Sequence, residues 1–503
     1  MNSIEDSLGP RGRFTIVASA LLALFLGAMD ALVMSAAAPT IIADLGGLPL
    51  YSWVYSAFFL ARAVALPIFG KLADLFNTKR LFIFSIILFL GASIAAGASP
   101  SMEFLVAARV FQGIGTGGNF ALVYIVLSEV ALPGKRAQTL SFASSVWGIA
   151  SIIGPTLGGV IVTWFSWRWI FYINVPLGLL SLVGIWVYLS ELREKKKTVV
   201  LDIAGAVCLT GSVLSILVLF MTAGTRFDWI SFETALLLLA TTGFAWGFYR
   251  AERRSSEPLL DLGFFRHPWF ALGNGTIFFA SFTIFTLFAY APLFVQGALN
   301  KTPLEVGMAM LSLSLGWSLG SLAIGRFMDH TGNRAVTIAG ALFMVAGTAL
   351  TLNFSIDTSM AVLFSVFMVI GLGMGLITLS TLVMVQNALS LEDLGVATSF
   401  HQFSRSLGGT MGVGICGGLV TAGLLSHLET AAVTLPGQVL DQLRDGVEHL
   451  LLPQVQAMIP QAAKDTVQTA VLQGITSIFS VALAAAVICF ILALCSAVSR
   501  SDS

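Results

Sequence analysis

Asp30 is the acidic side chain whose position points most directly to proton chemistry. It is the only charged residue in an apolar run that extends from Phe14 past Ala38. An ionisable group near the centre of a bilayer costs roughly 2.5–3.5 kcal/mol on insertion scales, so such a residue is functional by default. Burial favours the neutral carboxyl, whereas a neighbouring arginine favours the carboxylate. A group balanced between these influences can bind and release a proton.

Arg109 is the cation whose depth matches that of Asp30. Asp30 lies about eight residues before the outer end of its run, and Arg109 lies about six residues after the outer start of another. At 1.5 Å of rise per residue, both lie roughly 10 Å below the same surface. The matching depth permits a pairing, through which the two residues could take part in proton coupling. A fixed structural ion pair is the alternative that the sequence leaves open.

Two further arginines, Arg62 and Arg405, lie inside apolar runs that contain no acid. Three in-span cations against one acid favour neutral or anionic amphipathic cargo. The alternative is that both arginines bond backbone carbonyls at helix breaks. We therefore list the following residues as a candidate cavity: Arg62, Gln112, Asn119, Gln402 and Arg405.

Other kinds of chemistry find little support in the chain. The stretch Gly113–Gly118 satisfies a dinucleotide-binding glycine pattern, but no strand precedes it, so close helix packing is the better interpretation. We find no HExxH motif, no P-loop and no acid–base cluster inside the spans. The four cysteines lack metal-ligand spacing, and the net charge is zero. We expect no cofactor, no metal, no nucleic-acid partner and no enzymatic activity.

The elements that carry these residues must be transmembrane helices. The chain is 57% hydrophobic and only 10% charged, and apolar runs of about 20 residues recur along it. The pattern predicts an all-α membrane protein with fourteen spans, of which the eighth is the weakest. The spans are expected near residues 14–38, 51–70, 81–99, 103–129, 137–164, 169–190, 201–223, 231–249, 268–297, 303–325, 335–353, 358–387, 395–424 and 474–499.

Lysine and arginine set the direction of the spans. With a cytoplasmic N-terminus, the inner segments hold 18 of these residues and the outer segments hold 5. We expect both termini and the basic linkers at 193–197 and 250–266 to be cytoplasmic, in a bacterial inner or plasma membrane. Residues 425–473 should face outward, either as an amphipathic helix built on Leu440, Leu443, Val447, Leu450 and Leu451 or as a spacer.

An internal repeat divides the chain. Two loops share one pattern: a glycine, an aspartate four residues later and a basic residue at the end. They run from Gly70 to Arg80 and from Gly325 to Arg334. This predicts two six-helix halves, residues 1–190 and 268–503, with two extra helices in a linker at 191–267. Asp74 and Asp329 either keep these loops inside as solvated charges or form an ionic latch between helix ends.

Both loops resemble the loop signature of the major facilitator superfamily, and further motifs resemble its fourteen-span drug:proton antiporters of EmrB/QacA type. These motifs run from Met29-Asp30 to Pro39, from Arg109 to Gly115, from Gly148 to Gly159, from Trp167 to Gly178, and through Gln402, Arg405, Gly408, Gly409 and Gly412. The resemblance implies the major facilitator fold. The chain departs from the pattern at Asn77, where the first loop usually has glycine, and at Arg62.

The resemblance also implies roles for particular residues. It implies proton coupling through Asp30 and Arg109. The antiporter motif comprises Gly154, Pro155, Gly158 and Gly159, for which a static kink is the alternative. The expected latch comprises Gly70, Lys71, Asp74, Arg80, Glu129, Gly325, Asp329 and Arg334.

The function we expect is proton-coupled secondary active export of small amphipathic molecules by alternating access. An exporter or flippase of lipids or lipid-like metabolites is the alternative, and a membrane enzyme or a transport-inactive sensor comes after it. The expected partners are the substrates, protons and the lipid bilayer. A periplasmic adaptor protein joins them only if the cell has two membranes.

Overall fold

The computed structural model describes residues 10–131, 136–190, 202–223, 227–255, 258, 262–389, 394–432 and 461–498. The described residues are mostly helical. The helices are α1 (Pro10–Leu45), α2 (Leu48–Leu75), α3 (Thr78–Gly97), α4 (Met102–Val130), α5 (Arg136–Trp164), α6 (Trp169–Tyr172), α7 (Asn174–Tyr188), α8 (Ile203–Thr222), α9 (Phe232–Arg254), α10 (Pro268–Leu293), α11 (Pro303–Thr351), α12 (Met360–Asn387), α13 (Leu394–Ala432) and α14 (Gln461–Val498). A π-helical turn, Phe294–Ala298, continues α10.

The predicted fold class is confirmed, and its helices follow the predicted order. Thirteen helical stretches of the described chain are long and apolar enough to cross a membrane. Two of them belong to α11, which bends at Gly332, where φ is 77°. The predicted eighth span corresponds to α9, a helix of 23 residues that packs against α8. It is not among the thirteen stretches, in keeping with its charged C-terminal turn.

The ends of the helices depend on local backbone chemistry. Gly46 and Gly47 separate α1 from α2 with φ values of 66° and 72°, a region that favours glycine. Asn77 begins α3 with a φ of −57°, and its side-chain oxygen accepts the backbone N–H of Arg80 at 2.9 Å. The asparagine therefore acts as an N-cap, and this turn needs no glycine.

The predicted outer segment at 425–473 is shorter than expected at both ends. Helix α13 continues to Ala432, and α14 already begins at Gln461. Apolar composition marks the bilayer core, whereas a helix continues for as long as its backbone bonds can be made. The predicted amphipathic helix and the basic linker at 193–197 lie outside the described residues.

Helices of the two predicted halves pack against one another. Helix α5 packs against α11, α2 against α13, and α1 against both α10 and α11. Within the first half, α4 lies directly on α2, because an added Cβ at Gly113 or Gly117 would come within 2.4 or 2.6 Å of the carbonyl oxygens of Phe58 and Arg62. Small residues at such contacts let membrane helices approach closely. The inserted helix α8 packs against both α2 and α13, one from each half.

Candidate functional site

A charged cluster lies inside the first half, where four helices converge. Helix α1 contributes Asp30, α3 contributes Ser93, α4 contributes Arg109 and Gln112, and α7 contributes Asn174. All five side chains are buried, with none of their surface exposed. On α4 the arginine and the glutamine are three residues apart, so they share one face of the helix.

Arg109 and Asp30 form an ion pair through Nη1 and Oδ2. The same Nη1 also donates to Oε1 of Gln112 at 2.7 Å, and Nε donates to the backbone oxygen of Val54 at 3.1 Å. The guanidinium carbon lies 4.0 Å from the centre of the Phe58 ring. The arginine is thus held in one orientation by groups from three helices.

The second carboxylate oxygen of Asp30 is held by amides. Nε2 of Gln112 donates to Oδ1 at 2.8 Å, and Nδ2 of Asn174 donates to the same atom at 3.2 Å. Gln112 also donates to the hydroxyl of Ser93 at 2.9 Å. Ser93 and Asn174 were not among the predicted site residues, although Asn174 lies in one of the motifs that carry the resemblance. An asparagine in an apolar run was a usable signal, because buried amides need partners.

The two carboxylate oxygens of Asp30 thus accept from three side chains, of which only Arg109 is charged. Among the described residues, no three His, Cys, Asp or Glu side chains lie close enough together to hold a metal ion.

Arg62 and Arg405 lie on facing helices of the two halves, α2 and α13. Arg62 is completely buried and Arg405 is 3% exposed. Nη2 of Arg62 donates to the hydroxyl of Ser406 at 3.2 Å, and its guanidinium lies 4.6 Å from the Phe59 ring centre. The Arg405 guanidinium lies 4.1 Å from the ring of Trp147. Neither arginine is bonded to a backbone carbonyl in the part of the chain that the structure describes.

The other residues of the predicted cavity do not all lie beside Arg62 and Arg405. Gln112 belongs to the Asp30 cluster. The side-chain oxygen of Asn119 accepts the hydroxyl of Ser85 at 2.7 Å, within the first half. Gln402 is half-buried on α13.

The antiporter motif of α5 presents two faces to two partners. Added Cβ atoms at Gly154 and Gly158 would lie 2.9 Å from Leu32 and 2.5 Å from the backbone of Val33, both on α1. Gly159 faces the opposite half, where its added Cβ would lie 3.3 Å from Cα of Gly307 on α11. In turn, an added Cβ at Gly307 would lie 2.7 Å from the carbonyl oxygen of Pro155. The motif therefore lies at a direct backbone contact between α5 and α11.

Tyrosine hydroxyls also form hydrogen bonds between the two halves. The hydroxyl of Tyr51 on α2 donates to the backbone oxygen of Ala289 on α10 at 3.0 Å. Tyr290 makes bonds to both Ser52 at 2.9 Å and the backbone oxygen of Val413 at 2.6 Å. These contacts join the two halves at the end where α1 passes into α2.

The predicted latch is described only in part. Gly70, Lys71, Asp74, Gly325 and Asp329 lie in helices, but the side chains of Lys71, Asp74 and Asp329 are outside the described residues. Three further members are described: Arg80 is exposed, Glu129 is half-buried in the last turn of α4, and the Arg334 guanidinium lies 4.2 Å from the ring of Trp269.

A second aspartate on α1, Asp44, lies near the C-terminal end of the helix and binds two neighbouring side chains. Its Oδ2 accepts the indole N–H of Trp167 at 2.9 Å and Nη1 of Arg168 at 2.8 Å. Partial burial alone would raise the pKa of Asp44, but these two donors and the arginine charge together lower it. The Asp44 side chain is 48% exposed, so this pair differs from the enclosed pair of Asp30.

Comparisons with known proteins agree with this architecture. The sequence model of the Major Facilitator Superfamily matches residues 20–413. The multidrug transporter protein MdtP of Bacillus subtilis (strain 168) is 30% identical over 487 residues, which cover 93% of this chain and 90% of that protein. Multidrug resistance protein 3 of the same strain is 30% identical over 476 residues, covering 93% and 92%.

Solved structures share the fold at low sequence identity. A bacterial homologue of the human lysosomal transporter Spinster, in an inward-facing and occupied conformation, has a TM-score of 0.71 at 13% identity, over 97% of both chains. The D-xylose-proton symporter has a TM-score of 0.57 at 15% identity, over 81% of this chain and 90% of that one. Since the family match covers most of the chain and the helices pack in the same fold, the protein is a multi-pass membrane transporter that belongs to the Major Facilitator Superfamily.

Proposed function

We propose that this protein is a proton-coupled exporter of small amphipathic molecules, of the EmrB/QacA type, in which Asp30 carries the coupled proton. The observation that carries the proposal is the wholly buried Asp30, held by one arginine and two amides. It is the one acid in the middle of a described span, so no second carboxylate there shares the task. Relatives named as multidrug transporters and an efflux pump support export as the direction.

The contacts between the halves support alternating access as the mechanism. The glycine contact between α5 and α11 and the tyrosine bonds close one end of the bundle. Opening that end requires the tyrosine hydrogen bonds to break and the flat glycine contact to separate. Protonation of Asp30 changes the bonding of α1, and α1 packs directly against the inner face of α5. The motif thus links the proton site to the contact that opens.

The driving force is adequate for useful export. One proton moved through 100 mV supplies about 2.3 kcal/mol, and one pH unit adds about 1.4 kcal/mol. Together, roughly 3.7 kcal/mol sustains a gradient of about several hundredfold for one neutral molecule per proton.

Transport in proteoliposomes tests the proposal. A panel of amphipathic dyes and lipid analogues is offered with and without an imposed pH gradient. Wild-type protein should accumulate at least one small dye only when the gradient is present. The Asp30→Asn variant should bind this dye without accumulating it. Asp44→Asn is the matched control, because it removes an arginine-paired aspartate from the same helix without touching the buried cluster.

Other outcomes separate the alternatives. Gradient-driven accumulation by Asp30→Asn would remove the assignment of the proton to this residue. Movement of lipid analogues alone would favour the lipid exporter over the small-molecule exporter.

The proposed orientation has its own test. Both termini and the linker around Lys196 should be cytoplasmic, and the segment around Gln438 should face outward. Single cysteines at these two positions should react with an impermeant maleimide from opposite sides of the membrane. Reaction of both from one side would overturn the orientation.

A further inference from the structure

Two buried arginines that have no acidic partner among the described residues lie where the halves meet. Arg62 has no exposed surface and Arg405 is 3% exposed. The Arg109 charge is already paired with Asp30, so the carboxylate is engaged by a different cation. A buried cation without a counter-ion is costly, and two such cations near one another add repulsion.

Aromatic rings stabilise these cations only in part. The guanidinium of Arg62 lies 4.6 Å from the ring centre of Phe59 and 5.5 Å from that of Phe120. That of Arg405 lies over Trp147. Contacts with ring faces leave the N–H groups at the edge of a guanidinium free to donate. Within the described chain, Nε and Nη1 of Arg62 and Nε of Arg405 have no hydrogen-bond partner.

The aromatic rings around Arg62 form a closed series of contacts, to which both halves contribute residues. Starting from Arg62, each ring contacts the next, and the last contacts Arg62 again. The ring centres are 4.9 Å apart for Phe59 and Phe285, 6.2 Å for Phe285 and Trp317, 6.3 Å for Trp317 and Trp147, and 5.7 Å for Trp147 and Phe120. Phe59, Phe120 and Trp147 belong to the first half, and Phe285 and Trp317 belong to the second.

We propose that Arg62 and Arg405 bind the acidic group of the cargo and that the exporter's preferred cargo is an aromatic monoanion. The unpaired N–H groups of these guanidinium groups suit the oxygen atoms of a carboxylate or sulfonate, and the surrounding aromatic rings suit a flat apolar ring system in the cargo. This inference rests on the proposed function, which it deepens by naming the class of cargo. The two binding groups come from different halves, so a bound anion ties the halves together.

The site is separate from the proton site but adjoins it. The Phe58 ring lies 4.0 Å from the Arg109 guanidinium on one side and 5.6 Å from that of Arg62 on the other. The cargo anion therefore has its own cations and does not need to displace Asp30 from Arg109. Exchange of one entering proton for one leaving monoanion moves two charges across the membrane in each cycle.

Binding of three matched probes to the purified full-length protein in nanodiscs tests the inference. The probes are 1-naphthoate, 1-naphthylmethanol and 1-naphthylmethylammonium, which share one aromatic body and differ in charge. The wild type should bind naphthoate at least about tenfold more tightly than the other two. Arg62→Gln and Arg405→Gln should each weaken naphthoate binding by about tenfold or more, whereas Arg62→Lys, which keeps the charge but loses the fork, should weaken it by less.

The control is Arg168→Gln, which removes an arginine at the surface and should leave naphthoate binding unchanged. Equal binding of the three probes would overturn the inference, as would undiminished naphthoate binding in both glutamine variants. In the proteoliposome assay, gradient-driven export of the ammonium probe but not of naphthoate by the wild type would also overturn it while leaving proton-coupled export in place. Arginine-dependent naphthoate binding without uphill transport under any gradient would instead sink the proposed function and leave the anion site standing.

Discussion

Replacing Arg109 with glutamine should destabilise the protein more than any other single change among the donors to Asp30. Asp30 accepts from three side chains, and Arg109 is the only charged one. Neither member of the pair has exposed surface, so water cannot replace the lost partner. Removing one partner of a buried ion pair costs roughly 3–5 kcal/mol, because the other charge is left without a counter-ion.

The amide donors should matter less, in the order of their distances. Gln112→Ala removes a neutral donor at 2.8 Å from the carboxylate, and such bonds to charged groups contribute about 1.5–3 kcal/mol. Asn174→Ala removes the longer bond, at 3.2 Å, and should cost the least of the three. The expected order of destabilisation is therefore Arg109, Gln112, Asn174.

The decisive variant combines Arg109→Gln with Asp30→Asn. It replaces two charges with two amides, so no unpaired buried charge remains and most of the lost stability should return. The assay is the free energy of unfolding of each purified variant in detergent, together with its melting temperature. A double variant as unstable as the sum of the two single changes would refute the reasoning, because the side chains would then act independently.

Three other predictions concern the contact between α5 and α11, the Asp44 side chain and the expected latch. Gly307→Val should overpack the contact between α5 and α11 and destabilise it by about 1–3 kcal/mol. Maleimide should then modify the buried Cys416 about tenfold faster. Gly91→Val is the control: Gly91 faces open space, so the rate of modification should not change. The indole and guanidinium donors lower the pKa of Asp44 below the ordinary 3.8, despite partial burial. The wild type should therefore be slightly more stable than Asp44→Asn at neutral pH, and this difference should disappear as the pH falls below that value. Melting curves would show it, and a difference that grew in acid would contradict the prediction. Asp74→Asn should slow transport at unchanged expression, and a wild-type rate would leave this aspartate with a role in topology only.

The sequence was most informative where hydrophobicity alone decides. Apolar runs predicted the helical class and the order of the spans, because lipid admits few alternatives to helices. The depth argument permitted a pairing of Asp30 with Arg109, since a straight helix converts residue number directly into depth, and the structure shows the pair. The boundaries were less accessible. Helix α1 extends beyond its apolar run to Leu45, where Gly46 adopts a left-handed conformation.

The finer geometry depends on how helices rotate and pack, which one sequence does not reveal. Ser93 could not be distinguished from a serine that bonds only within its own helix. The glycines of the antiporter motif were recognised from the sequence, but Gly307, their partner in the other half, carried no signal of its own. Similarly, Arg62 was visible as an unusual in-span cation, whereas the rings that surround it come from five separate helices.

Cargo-dependent proton movement is the most direct test of the central claim, that Asp30 exchanges a proton for cargo. Proteoliposomes that contain a pH-sensitive dye are loaded with a cargo that the wild type exports, and the internal pH is followed as the cargo is transported. The wild type and Asp44→Asn should both move protons against cargo. Asp30→Asn, at equal protein content and with cargo binding retained, should move none. Cargo-dependent proton movement by Asp30→Asn at the wild-type rate would contradict the account.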